Sequence, residues 1–311
     1  MTSSAPDTVE PRPSLLRAWW LALRPATLPA GAVPVVVGTA VAAHVGGWRP
    51  VVATLALAGA LLLQIGSNLV NDAADFAKGA DTADRLGPAR ATQRGWLSAR
   101  QVWAGAWLAF GAATLCGFGL IAEVAAAGHT WVVVTIGLAS IAGAVLYTAG
   151  KKPLGYLGLG DLMVFVYFGP VAVCGTAGLQ LGHLPAAAVW AAVPVGALAT
   201  AILVVNNLRD REGDARAGKR TLVVRFGPQV ARRQYAALVV VASLMPAVGA
   251  MLHALPKGAW LTSLSLPLAV GCVRAIHRDD GRALNPWLGR TARLELAHGA
   301  LFAIGVWPCG W

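Results

Sequence analysis

Nine times in 311 residues the chain returns to an apolar stretch able to cross a lipid bilayer, and no other feature narrows its fold so sharply. The stretches lie at 28–45, 51–70, 102–122, 131–148, 160–180, 185–206, 235–253, 259–274 and 294–311. Most approach the ~20 residues that a helix needs to cross the hydrocarbon core. Backbone N–H and C=O groups find no water there, so each stretch must bond them internally, as a helix does. The expected fold is therefore all-α, a bundle of nine transmembrane helices around a central cavity open to the cytoplasmic side. Charged residues make up 13% of the chain, about half the share of an ordinary soluble domain.

The basic residues set the orientation. Of the Lys and Arg side chains, 23 fall in alternate connections and 2, Arg49 and Lys257, in the others. Miscounting by one helix would scramble that division, which is the one the positive-inside rule produces. The N-terminus and the long loops are expected in the cytoplasm and the C-terminus outside, in a multi-pass protein of a bacterial inner (cell) membrane. Residues 1–20 are polar and proline-bearing, without the short apolar core of a removable signal peptide. They are expected to form a cytoplasmic segment ahead of a single nine-helix domain at 21–311. The net charge of +11 is spread over several loops and comes with no nucleic-acid-binding motif, so it reflects topology rather than DNA or RNA binding. Cys116, Cys174, Cys272 and Cys309 lack any metal-binding or disulfide spacing and read as small packing residues.

The 14 acidic residues are distributed unevenly, with Asp72, Asp75, Asp81 and Asp84 following the second apolar stretch within thirteen positions. The sixth stretch ends similarly, in NNLRDREGDARAGKR, with Asp210 and Asp214. Both segments open on asparagines: Asn68 and Asn71 in one, Asn206 and Asn207 in the other. If the helices continue, each Asp pair shares a face. Carboxylates at a membrane edge must face water or a cavity, and where several converge they call for cations. Carboxylate oxygens without His or Cys suit Mg2+, which takes one or two carboxylates together with phosphate oxygens. Lys78, Arg209 and Lys219, with Lys151 and Lys152 of a short connection, are available for a diphosphate. A lipid tail in so apolar a chain makes the implied substrate a prenyl diphosphate, with an electron-rich acceptor for the allylic cation. An ion-coupled transporter is the competing reading, although these Asp residues sit at span ends and the paired segments share one orientation.

The same residues resemble the UbiA superfamily of intramembrane prenyltransferases, whose aspartate-rich motifs lie on cytoplasmic loops of a nine-helix bundle. The likeness is carried by LRPATLPAGAVPVVVGTA at 23–40, NDAADFAKGADTADRLGPARATQRG at 71–95, YTAGKKPLGYLGLGDLMVFVYFGPVAVCGT at 147–176 and NNLRDREGDARAGKRTLVVRFG at 206–227. The segments KGADTADRLGP and KPLGYLGLGD point to the branch that prenylates 1,4-dihydroxy-2-naphthoate with loss of its carboxylate. The resemblance implies that Asn68, Asn71, Asp72, Asp75, Asp210 and Asp214 hold Mg2+ and the diphosphate, and that Lys152, Arg209 and Lys219 bind phosphate oxygens. Tyr147 would hydrogen-bond the diphosphate or stabilise the cation; as a residue it reads equally well as an interfacial aromatic. Asp81 ends the pattern DxxDxxxxxD, whereas many members carry a third Asp where this chain has Gly79, so it would organise the loop or meet the second substrate. Arg85 and Arg90 are candidates for the acceptor carboxylate. Other aromatic acceptors, 4-hydroxybenzoate or homogentisate, remain open, because the aspartate motifs are common to the superfamily.

Overall fold

Capping chemistry cuts the apolar stretches into separate helices. Ser98 and Gln101 form a reciprocal capping box at the start of one helix, prolines sit in the first turn of several others, and glycines with positive φ end others. The computed structural model describes residues 13–80 and 85–308, and every regular element within them is helical. Asp81 and Asp84 fall outside the described residues. The helices are α1 (Leu15–Leu23), α2 (Leu28–His44), α3 (Pro50–Ala77), α4 (Ala99–Val124), α5 (Thr130–Thr148), α6 (Gly160–Leu181), α7 (Ala186–Arg216), α8 (Pro228–Met251), α9 (Lys257–Arg278) and α10 (Asn285–Val306). With α1 and α2 counted as one, those up to α9 supply 8 stretches long and apolar enough to cross a membrane. The expected ninth, α10, is a 22-residue helix made less apolar by Arg290, Arg293 and Glu295.

Local structure departs from the sequence reading in three ways. The segment LLRAWWLAL, read in part as a polar tail, is the helix α1; it buries Ala18 and Ala22 and leaves Leu15, Leu16 and Trp20 exposed. Helix α6 is π-helical from Tyr167 to Cys174, around Pro170, whose missing N–H and bulky ring disrupt regular α-helical bonding. Most consequential for the site, α3 runs on through Ala77 and α7 through Arg216, so Asp72, Asp75, Asp210 and Asp214 stand on helix extensions rather than on free loops.

Small residues let the helices cross closely, since lipid tails supply little hydrophobic drive between them. Gly169 of α6 and Gly196 of α7 meet backbone to backbone: a Cβ on either would lie 2.7 Å from a carbonyl oxygen of the other helix. At the start of α9, a Cβ on Gly258 would lie 1.8 Å from the carbonyl oxygen of Gly305, and one on Gly305 would lie 2.0 Å from that of Gly258. No rotamer relieves a clash with backbone, so α9 and α10 would have to separate. Gly258→Ala and Gly305→Ala are each expected to destabilise the bundle by about 1–3 kcal/mol, the usual cost of overpacking, seen as a lower unfolding midpoint in detergent. An unchanged midpoint in both would refute this contact.

The charged connections gather at one end of the bundle. There Asn285 donates to the Leu86 carbonyl (2.9 Å), Arg220 N–H to the Tyr156 carbonyl (2.9 Å) and Arg232 to the Asp279 carbonyl (3.0 Å). The opposite end is fastened by the Arg49–Glu123 ion pair (2.9 Å) and an edge contact of Trp48 on Trp307.

Candidate active site

The extension of α3 presents its polar side chains in several directions. Asn68 donates to the Leu23 carbonyl (3.0 Å) and the Thr27 hydroxyl (2.9 Å), tying the turn after α1 to α3. Asn71 accepts from the Thr148 hydroxyl at the end of α5. Asp72 is buried and accepts from the backbone N–H groups of Ala91 (3.1 Å) and Thr92 (3.4 Å), so it pins the connection between α3 and α4. Asp75 accepts from the Tyr156 hydroxyl (2.9 Å) and lies 3.2 Å from Lys219 and 3.8 Å from Arg90. The two Asp residues therefore do not share a task. Their spacing leaves about 60° between them on a helix of 3.6 residues per turn, which turns Asp75 to the cavity and Asp72 to the loop.

On α7 the four-residue spacing keeps both carboxylates on the cavity wall. Asp210 is gripped by Arg209 through Nε (2.8 Å) and Nη2 (2.6 Å), with Arg85 at 3.9 Å. Arg209 is itself buried and also donates to Asn206 (2.7 Å) and Asn285 (3.1 Å). Asp214 lies 3.4 Å from Lys219, so that one ammonium touches carboxylates of both helices. Lys78, just past the end of α3, donates its ammonium to the carbonyls of Thr148 (2.7 Å) and Gly150 (3.1 Å) at the end of α5, and its Nζ sits 4.6 Å from the Tyr156 ring centroid. Partial burial pushes the Lys78 ammonium below its ordinary pKa; Asp75 opposes the shift and Lys219 adds to it.

These groups surround one end of a cavity of about 450 Å³. Its walls there include Asn68, Asn71, Asp75, Tyr147, Tyr156, Asn206, Asn207, Asp210, Asp214 and Lys219. Farther in they become Gly59, Ala60, Leu63, Leu120, Val133, Val171 and Leu179. Asp75 and Ala56 both line it, about 28 Å apart along α3 at 1.5 Å per residue. The cavity thus runs from a charged rim along most of a membrane thickness. Tyr147 fits because Gly155 and Gly160 make room: a Cβ on Gly160 would lie 2.9 Å from the Tyr147 hydroxyl.

Most of the expected site residues meet at this rim. The exceptions are informative: Asp72 and Arg209 stand behind it as supports, and Lys78 and Lys152 do not line the cavity, Lys152 being exposed. Sequence reasoning missed Tyr156, which bonds Asp75 and offers its ring to both Lys78 and Lys219 (5.0 Å). Its signal was the glycine-flanked aromatic in PLGYLGLGD, legible only once the connection folds back over α3.

The rim carries three carboxylates, Asp75, Asp210 and Asp214, against four cations, Arg24, Arg85, Arg90 and Lys219. Among the described residues no three His, Cys, Asp or Glu side chains form a metal cage by themselves. An oxygen-only donor set drawn from two helices, with surplus positive charge beside it, fits a hard divalent ion that completes its shell with phosphate oxygens and water.

A helical bundle whose apolar chamber ends in paired carboxylates and cations is the layout of a membrane-embedded enzyme for lipids with anionic heads. The chain belongs to the UbiA prenyltransferase family, whose sequence model matches residues 31–294. It is 40% identical over 303 residues to the 1,4-dihydroxy-2-naphthoate octaprenyltransferase of Escherichia coli, covering 96% of this chain and 97% of that one. To the enzyme of the same name from Mycobacterium tuberculosis it is 40% identical over 285 residues, 86% of this chain and 93% of that one. The fold is that of a UbiA homologue from Archaeoglobus fulgidus, solved bound to DMAPP and Mg2+, with a TM-score of 0.62 at 17% identity over 92% of this chain and 99% of that one.

Proposed function

We propose that the protein transfers a polyprenyl group from polyprenyl diphosphate to 1,4-dihydroxy-2-naphthoate with loss of the acceptor carboxylate, giving the quinol form of demethylmenaquinone, diphosphate and CO2. The observation that carries this reading is the single cavity that changes from Gly, Ala, Val and Leu walls to an Asp, Asn, Lys and Arg rim. The acceptor is taken from the names of relatives similar over nearly the whole chain.

In this reading Asp75, Asp210 and Asp214 would hold Mg2+, which would supply Lewis-acid neutralisation of the diphosphate leaving group. Asn68, Asn71 and Asn207 orient oxygens around it, Asp72 and Arg209 fix the carboxylate-bearing helices, and Lys219 and Lys78 add positive charge where the leaving group gains negative charge. Tyr147 faces the bond that breaks, between the first prenyl carbon and the diphosphate oxygen. Apolar walls keep water from the resulting allylic cation, so that a ring carbon of the acceptor captures it. Arg85 and Arg90 orient the acceptor carboxylate. The charged rim faces the cytoplasm of a bacterial cell, with residues 21–311 as one domain.

The test is product formation by protein reconstituted in lipid with Mg2+, a polyprenyl diphosphate and 1,4-dihydroxy-2-naphthoate. The expected product is the prenylated, decarboxylated naphthoquinol, lost on chelation of the metal. Turnover with 4-hydroxybenzoate or homogentisate but not the naphthoate would overturn the acceptor, and turnover undiminished by chelation would overturn the metal.

A further inference from the structure

Lys219 is the residue through which the two acidic helices are joined. Its Nζ lies 3.2 Å from Asp75 on α3 and 3.4 Å from Asp214 on α7. The backbone fixes its position: Gly218 turns the chain at φ +73° just after α7, Lys219 N–H donates to the Asp214 carbonyl (2.8 Å), and Arg220 N–H donates to the Tyr156 carbonyl (2.9 Å). Tyr156 completes the arrangement, giving its hydroxyl to Asp75 and its ring to the ammonium. The lysine side chain is only 17% exposed, so solvent screens these contacts weakly.

We infer that Lys219 is a tethered competitor for the divalent cation: it holds the oxygens of Asp75 and Asp214 that the metal needs, and releases them when a diphosphate offers it phosphate oxygens instead. The inference rests on the metal and diphosphate reading of the site given above. An ammonium whose backbone is anchored to Asp214 and whose Nζ lies within 3.4 Å of both carboxylates acts at high effective concentration, so it opposes a free divalent ion far more than a lysine in solution would. A prenyl diphosphate reverses the balance by giving the ammonium a new anionic partner and the metal additional ligands. Metal and prenyl diphosphate must then each strengthen the other's binding by the same factor, as linkage requires. The arrangement also limits metal capture at a site without a prenyl donor.

The experiment measures Mn2+ binding, as a spectroscopic stand-in for Mg2+, by electron paramagnetic resonance on the full chain in lipid. It compares wild type with Lys219→Met and Lys219→Gln, without ligand and with an unreactive prenyl thiodiphosphate. Without ligand both variants are expected to bind Mn2+ about tenfold more tightly than wild type, within the usual range of such couplings. With the analogue the wild type gains affinity and the variants gain much less. Unchanged or weaker Mn2+ binding in both variants, at an unfolding midpoint close to that of wild type, would overturn the exchange while leaving the metal site intact. No Mn2+ binding by any of the three proteins, with or without analogue, would overturn the metal reading and the exchange together.

Discussion

Asp75→Ala lowers kcat for prenyl transfer by roughly a hundred- to a thousandfold, the scale on which one preorganised electrostatic group matters at a charge-separating step. The size of the effect follows from its neighbours. Asp75 accepts from Tyr156, faces Lys219 and Arg90, and opens onto the cavity, so it helps to position two of the cations at the rim. In the proposed function, removing it takes away a carboxylate that would bind the metal and leaves Lys219 with Asp214 as its carboxylate partner. Asp75→Asn separates the two contributions, because the amide keeps its size and can still accept from Tyr156 but lacks the charge. If the charge is what matters, Asn is nearly as slow as Ala while its unfolding midpoint stays close to wild type. Activity within tenfold of wild type in both variants would show that the first acidic helix does not hold the leaving group. The measurement is initial rate against prenyl diphosphate and Mg2+ concentration, with kcat and KM resolved.

The membrane architecture was readable because its cause is local: about 20 apolar residues in a row leave a chain few alternatives to a helix. The two acidic segments were equally legible, since four Asp codons' worth of charge beside a span needs an explanation whatever the fold. Which carboxylate faces the cavity was not legible. Asp72 and Asp75 look equivalent in sequence, and only the fold of residues 91–92 over α3 supplies the N–H groups that claim Asp72. Arg209 was read as a phosphate ligand; its partners Asn206 and Asp210 are its neighbours on α7, and Asn285 joins them only when α10 packs beside α7. Tyr156 escaped notice for the same reason: its partner Asp75 is 81 positions away. Long-range pairing of this kind leaves no periodicity to read.

Arg209→Lys lowers both stability and activity, and the pairing of the two losses is what distinguishes a supporting residue from a phosphate ligand. Each nitrogen of the guanidinium is engaged: Nε and Nη2 with Asp210, Nη2 also with Asn206, and Nη1 with Asn285. A Cβ on Gly87 would come within 2.6 Å of Nη2, so the loop backbone covers the group closely. Lysine keeps the charge but cannot make the two-point grip on a carboxylate. Arg209→Leu goes further and leaves Asp210 half-buried without its main partner, a change that in buried pairs costs about 3–5 kcal/mol. The expected order of unfolding midpoints in detergent is wild type above Lys above Leu, with kcat falling in the same order as Asp210 loses its fixed position. A residue that bound only phosphate would behave differently, raising KM for the prenyl diphosphate at unchanged stability. That outcome for Arg209→Lys would mean that the guanidinium leaves Asp210 during turnover and that the grip between them is a resting arrangement rather than part of the working site.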